Sequence, residues 1–202
     1  MASPSDPFDR RNLLTFASLL FGVAAIAAAS AGHAPMAGLG IAAAVIADTF
    51  DGRFARRFGA DPRRCALGTE LDSLADAIAF GIAPPLCSAL LLNVRGGAAG
   101  YALWAAAFVH AACAITRLAS FNIDRTAGDG FIGIPVPLSA LIWSTVLLVQ
   151  PSAAITTGVI LATAAAMVLP IRVPRPTGAG LAVFALWPLA VGLCHLALAL
   201  WH

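Results

Sequence analysis

Apolar runs on the scale of a bilayer's thickness recur from end to end of this 202-residue chain. A membrane-crossing helix needs roughly 20 apolar residues. Candidate runs lie at 13–31, 36–50, 66–93, 98–121, 131–149, 152–169 and 179–201, the second continuing helically toward Arg57. They are rich in Ala and Leu and lack strand-like alternation, which argues for helices and against a barrel. Charged residues make up 11% of the chain, where a soluble domain carries about a quarter. The expected fold is an all-α polytopic membrane protein, a bundle of six to seven transmembrane helices forming one domain over 1–202. The count depends on two places. The last run crosses or lies in the interface, and Pro84-Pro85 kink the third run or divide it.

Arginine placement orients the bundle. The chain has no lysine, so its twelve basic residues are all Arg. With the N-terminus in the cytoplasm and the spans alternating, every arginine except Arg95 falls on the inside, as the positive-inside rule requires. The first run is read as a retained span rather than a cleaved signal. The cysteines (Cys65, Cys87, Cys113, Cys194) are scattered without a CxxC pair, so neither a zinc site nor a disulfide framework is expected. No nucleic-acid partner is expected.

Against this apolar background one stretch stands out. Residues 48–76, DTFDGRFARRFGADPRRCALGTELDSLAD, hold six of the ten acidic residues and five of the arginines. The topology places it at the cytoplasmic membrane boundary. Asp48 and Asp51 are three apart and share a helical face; Gly68, Asp72 and Asp76 form a stripe at every fourth position. If the two helices pack antiparallel, four carboxylates converge and repel one another strongly. Divalent cations relieve that repulsion, and oxygen-only ligands suit Mg²⁺ or Mn²⁺. Gly52 and Ala55 leave room for a bulky ligand, and Arg56 reaches toward phosphates. Metal ligands, small residues and arginine together describe a pyrophosphate site, where a metal polarises phosphoryl oxygens and a carboxylate deprotonates an attacking hydroxyl. Intramembrane aspartates also serve ion paths, so a cation transporter is the rival from another class; it leaves Gly52, Ala55, Arg56 and Gly68 without a role.

The pattern Asp48-x2-Asp51-Gly52-x2-Ala55-Arg56, eleven residues, then Gly68-x3-Asp72-x3-Asp76 resembles the signature of the CDP-alcohol phosphatidyltransferases. All eight signature residues are present, and the gap before the glycine is slightly longer than in the commonest members. The resemblance implies that Asp48, Asp51, Asp72 and Asp76 bind two divalent ions (Mg²⁺ or Mn²⁺). It implies that Asp76 doubles as the base for the acceptor hydroxyl. Asp48, Gly52, Ala55, Arg56 and Gly68 would form the CDP site. The reaction would displace CMP from a CDP-linked lipid by an alcohol, in the inner membrane, with the active site cytoplasmic. A homodimer is implied as well.

ELDSLADAIAFGIAPP (70–85), RLASFNI (117–123), FIGIPVPLSA (131–140) and, more weakly, AMVLPIRVP (166–174) are similar to segments of the serine-using members. The expected substrates are CDP-diacylglycerol and L-serine, with glycerol phosphate, inositol phosphate or choline as alternative acceptors. Arg117 and Asn122 are candidates to hold the serine carboxylate, and Glu70 to attract the ammonium. His110, seven residues before Arg117, is read as a buried hydrogen-bonded histidine.

Overall fold

The computed structural model describes residues 8–59, 62–94, 96–123, 130–174 and 179–201. Arg95, Arg125, Arg175, His202 and most of the polar loop expected at 124–130 lie outside the described residues. A 3₁₀ turn, Arg10–Asn12, leads into α1 (Leu13–Ser30). A tight turn through Gly32, whose φ of +79° suits glycine, enters α2 (Ala34–Ala55). α3 (Pro62–Asp76) runs through a π-helical turn (Ala77–Ile82) into α4 (Ala83–Leu92). α5 is the longest helix (Gly97–Ile123). α6 (Val136–Leu147), α7 (Ala153–Val168) and α8 (Ala179–Trp201) complete the chain.

Four helical segments are long and apolar enough to cross a membrane: Arg10–Ser30, Ala34–Ala55, Pro62–Leu92 and Gly97–Ile123. The remaining apolar helices, Val136–Leu147, Ala153–Val168 and Ala185–Trp201, are shorter.

Two details differ from the sequence expectation. The segment 58–65, read as a polar loop, is helical from Pro62 onward, and proline at a helix start forfeits no intrahelical bond. The two connectors expected to be irregular pair with each other. β1 (Gly130–Ile132) lies antiparallel to β2 (Arg172–Pro174), with Phe131 opposite Val173.

The third run is neither divided nor sharply broken. Pro84 and Pro85 have no N–H, so the carbonyls four residues back, Phe80 and Gly81, lose their α-helical donors. The chain answers by widening: the Ala83 amide donates to Ile78 O, five residues back. His110 Nδ1 then supplies Gly81 O with a donor at 3.1 Å. Ser139 Oγ stands 3.4 Å from the other ring nitrogen and donates to Val136 O. The expected buried histidine is therefore a staple joining α5, α6 and the π turn.

Small residues set the helix spacing. A Cβ on Gly22 would stand 2.7 Å from Ala79 Cα, and one on Gly40 would stand 2.9 Å from Ala25 Cβ. This is the close backbone approach that packs helices in lipid, where apolar burial alone gives no drive to associate. The core between these helices holds Ile41, Val45, Phe80, Leu141 and Met167.

Candidate active site

The polar groups gather at one end of the bundle because of where each helix starts or stops. α2 carries Asp48 and Asp51 in its last two turns, α3 carries Asp72 and Asp76 in its second half, and α5 brings Arg117 and Asn122 at its C-terminal end. The α3 stripe works as the spacing predicts. Carboxylate oxygens of Asp48, Asp72 and Asp76 all lie within 4.8 Å of one another.

That donor set fits a hard divalent cation. Every donor is oxygen, and an octahedral shell with metal–oxygen bonds of about 2.1 Å sets its ligands about 3 to 4 Å apart. Asp76 is the most enclosed, only 8% exposed. Asp48, Asp72 and Asp51 are all near enough to repel it electrostatically. Asp51 stands outside the group of three, and its Oδ2 accepts a hydrogen bond from Thr15 Oγ1 at 3.2 Å.

One cation offsets this charge from inside the protein. Arg117 is 9% exposed and close enough to Asp76 to attract it. Its guanidinium lies over the Phe121 ring, 5.6 Å from the centroid, a placement that stabilises a desolvated arginine. One turn on, Asn122 Nδ2 donates to Ser73 Oγ at 2.9 Å. This bond ties the end of α5 to α3 between Asp72 and Asp76. It engages the amide nitrogen and leaves the Asn122 carbonyl oxygen as an acceptor.

The expected nucleotide residues line the exposed flank. Gly52 is exposed, and a Cβ there would meet only Arg56 Nη1 at 3.6 Å. Ala55 is half-buried and Arg56 exposed. Gly68 has a specific neighbour: a Cβ there would sit 3.2 Å from Asn12 Oδ1.

Glu70 does not join the site in this arrangement. It is exposed, and it stands two residues from both Gly68 and Asp72. At about 100° per residue that puts it on the opposite flank of α3. The ammonium role expected for it is corrected accordingly.

The third wall of the site was not foreseen. Asn12, Thr15 and Ser18 recur every three residues and are 9%, 5% and 2% exposed. They form a buried polar stripe at the start of an otherwise apolar helix. The signal was present in RNLLTFAS: three hydrophilic side chains on one face of a membrane span have to face protein rather than lipid.

The site's helices and spacing are matched by a known profile, that of the CDP-alcohol phosphatidyltransferases, over residues 11–171. The chain belongs to the CDP-alcohol phosphatidyltransferase family. Within it, the chain is 38% identical over 133 residues to a CDP-diacylglycerol–serine O-phosphatidyltransferase of Helicobacter pylori, covering 65% of this chain and 54% of that one. It is 32% identical over 136 residues to the enzyme of the same name from Bacillus subtilis, covering 64% and 70%. It is 32% identical over 141 residues to an archaetidylserine synthase of Methanothermobacter thermautotrophicus, covering 68% and 57%. The chain thus spans about half the length of the Helicobacter relative. The profile takes in all eight signature residues as well as the α1 stripe.

Proposed function

We propose that the chain transfers the phosphatidyl group from CDP-diacylglycerol to L-serine, giving phosphatidylserine and CMP. The observation that carries the reading is the convergence of Asp48, Asp72 and Asp76 within 4.8 Å at the ends of α2 and α3, with Arg117 beside Asp76. The choice of serine is supported by the names of the relatives, including one that makes an archaeal serine lipid.

Two divalent ions, Mg²⁺ or Mn²⁺, held by the three clustered aspartates and Asp51, would supply Lewis-acid stabilisation of charge on the pyrophosphate oxygens. The serine hydroxyl oxygen attacks the phosphorus that bears the diacylglycerol. The bond from that phosphorus to the bridging oxygen breaks, and CMP departs with the electron pair. Asp76 accepts the hydroxyl proton as general base. Asp48, Gly52, Ala55, Arg56 and Gly68 hold the CDP. Gly52 and Gly68 admit it because neither presents a side chain.

The acceptor's charges are divided between two residues of α5. Arg117 binds the serine carboxylate through charge-assisted hydrogen bonds. Asn122, its amide nitrogen already engaged by Ser73, offers its carbonyl oxygen to the ammonium rather than its nitrogen to the carboxylate. The lipid tails lie in the bilayer. The chain is a single domain of six or seven spans in the inner membrane with the N-terminus and site cytoplasmic, a topology supported by the arginine asymmetry. A homodimer belongs to this reading on the family resemblance alone.

The test is CMP release by the purified full chain from CDP-diacylglycerol with a panel of alcohols. Release with L-serine and not with glycerol phosphate, inositol phosphate or choline supports the proposal. Release with one of those instead would reassign the acceptor.

A further inference from the structure

We infer that Thr15 is a positioning residue that orients the Asp51 carboxylate toward bound divalent metal. This rests on the metal reading given under Proposed function.

The argument begins with what threonines do elsewhere in this protein. Thr49, Thr69, Thr145, Thr157 and Thr163 sit inside helices, and each hydroxyl donates to the carbonyl four residues back, at 2.7 to 3.1 Å. That is the low-cost local partner for a helical threonine. Thr15 does otherwise. It is the third residue of α1, so the position four back, Arg11, lies in the preceding 3₁₀ turn rather than in the helix. Its hydroxyl crosses to α2 and donates to Asp51 Oδ2 over 3.2 Å, a contact 36 residues apart in sequence.

Thr15 is only 5% exposed, so this hydrogen bond is sheltered from competing water. A donor on Oδ2 fixes the carboxylate's rotation and leaves its remaining lone pairs for a cation. Asp51 is the signature carboxylate that stands apart from the cluster of three, so it is the one whose orientation needs outside support. Groups that hold a metal's carboxylate ligand in place typically contribute about 10- to 100-fold in metal affinity.

The experiment measures Mn²⁺ binding to the full chain in detergent, without substrate, from the electron paramagnetic resonance of free Mn²⁺. Thr15→Val keeps the volume and deletes the hydroxyl, Thr15→Ala deletes both, and Thr15→Ser keeps the hydroxyl on a smaller side chain. The inference predicts dissociation constants about tenfold or more above wild type for Val and Ala, with Ser within about twofold. In turnover, the same two variants should raise the metal concentration for half-maximal rate more than they lower the rate at saturating metal. A packing role would instead rank the variants by volume, sparing Val and penalising Ser; that order, or wild-type affinity in both Val and Ala, overturns the inference. If wild type itself binds no Mn²⁺, the metal reading fails, and the inference with it.

Discussion

Replacing His110 by leucine tests how the protein accommodates two prolines in the helix that carries Asp72 and Asp76. The volumes are similar, so the change is chiefly the loss of a donor. His110 Nδ1 gives Gly81 O its hydrogen bond at 3.1 Å, and Pro85 cannot replace it. Ser139 loses less, because its hydroxyl still donates to Val136 O at 2.9 Å. The cost is therefore that of one buried carbonyl left unsatisfied, about 1–3 kcal/mol. For a chain of this length each kcal/mol lowers the midpoint by about 2–4 °C, so thermal unfolding in detergent micelles, followed by helical circular dichroism, should drop by about 2–12 °C. The π turn begins directly after Asp76, so turnover should fall even well below the new midpoint. An unchanged midpoint would refute the assignment of His110 as the donor that compensates for Pro85.

Three further outcomes follow from the site. Asp76→Ala should lower CMP release by at least about a hundredfold, the lower end of general-base contributions; full turnover would remove Asp76 from the base role. Arg117→Met should raise the KM for serine by about ten- to a hundredfold, the worth of a lost charge-assisted hydrogen bond, with the KM for CDP-diacylglycerol little changed. A fall in kcat with serine KM unaltered would instead assign Arg117 to Asp76 alone. Glu70→Gln should leave serine KM within about twofold of wild type, as expected for an exposed charge with little electrostatic reach; a large rise would restore its ammonium role.

The long apolar helices and the carboxylate stripe were legible because both depend on periodicity. Gly68, Asp72 and Asp76 share a face in any regular helix, and their convergence with Asp48 required only that α2 and α3 pack. What needed coordinates was tertiary. The effect of Pro84 and Pro85 was ambiguous because the compensating donor, His110, sits 25 residues beyond Pro85 in the sequence. The pairing of β1 with β2 joins three-residue segments too short to show alternation. Glu70 illustrates a different failure: nearness in sequence to Asp72 was taken for nearness in space, although two residues along a helix nearly reverse the direction of a side chain. Asn12 and Thr15 were hidden by the reading of the N-terminus as a positive anchor, which accounts for Arg10 and Arg11 and not for the polar residues on the buried face.

The central claim is that these carboxylates serve metal-assisted transfer to serine. The most direct measurement is CMP release from CDP-diacylglycerol by the full chain, with and without L-serine and with and without Mg²⁺ or Mn²⁺. The account predicts release only when serine and a divalent ion are both present, with phosphatidylserine formed in equal amount. Undiminished transfer after complete removal of divalent ions, or CMP release that ignores serine and follows another alcohol, would contradict it.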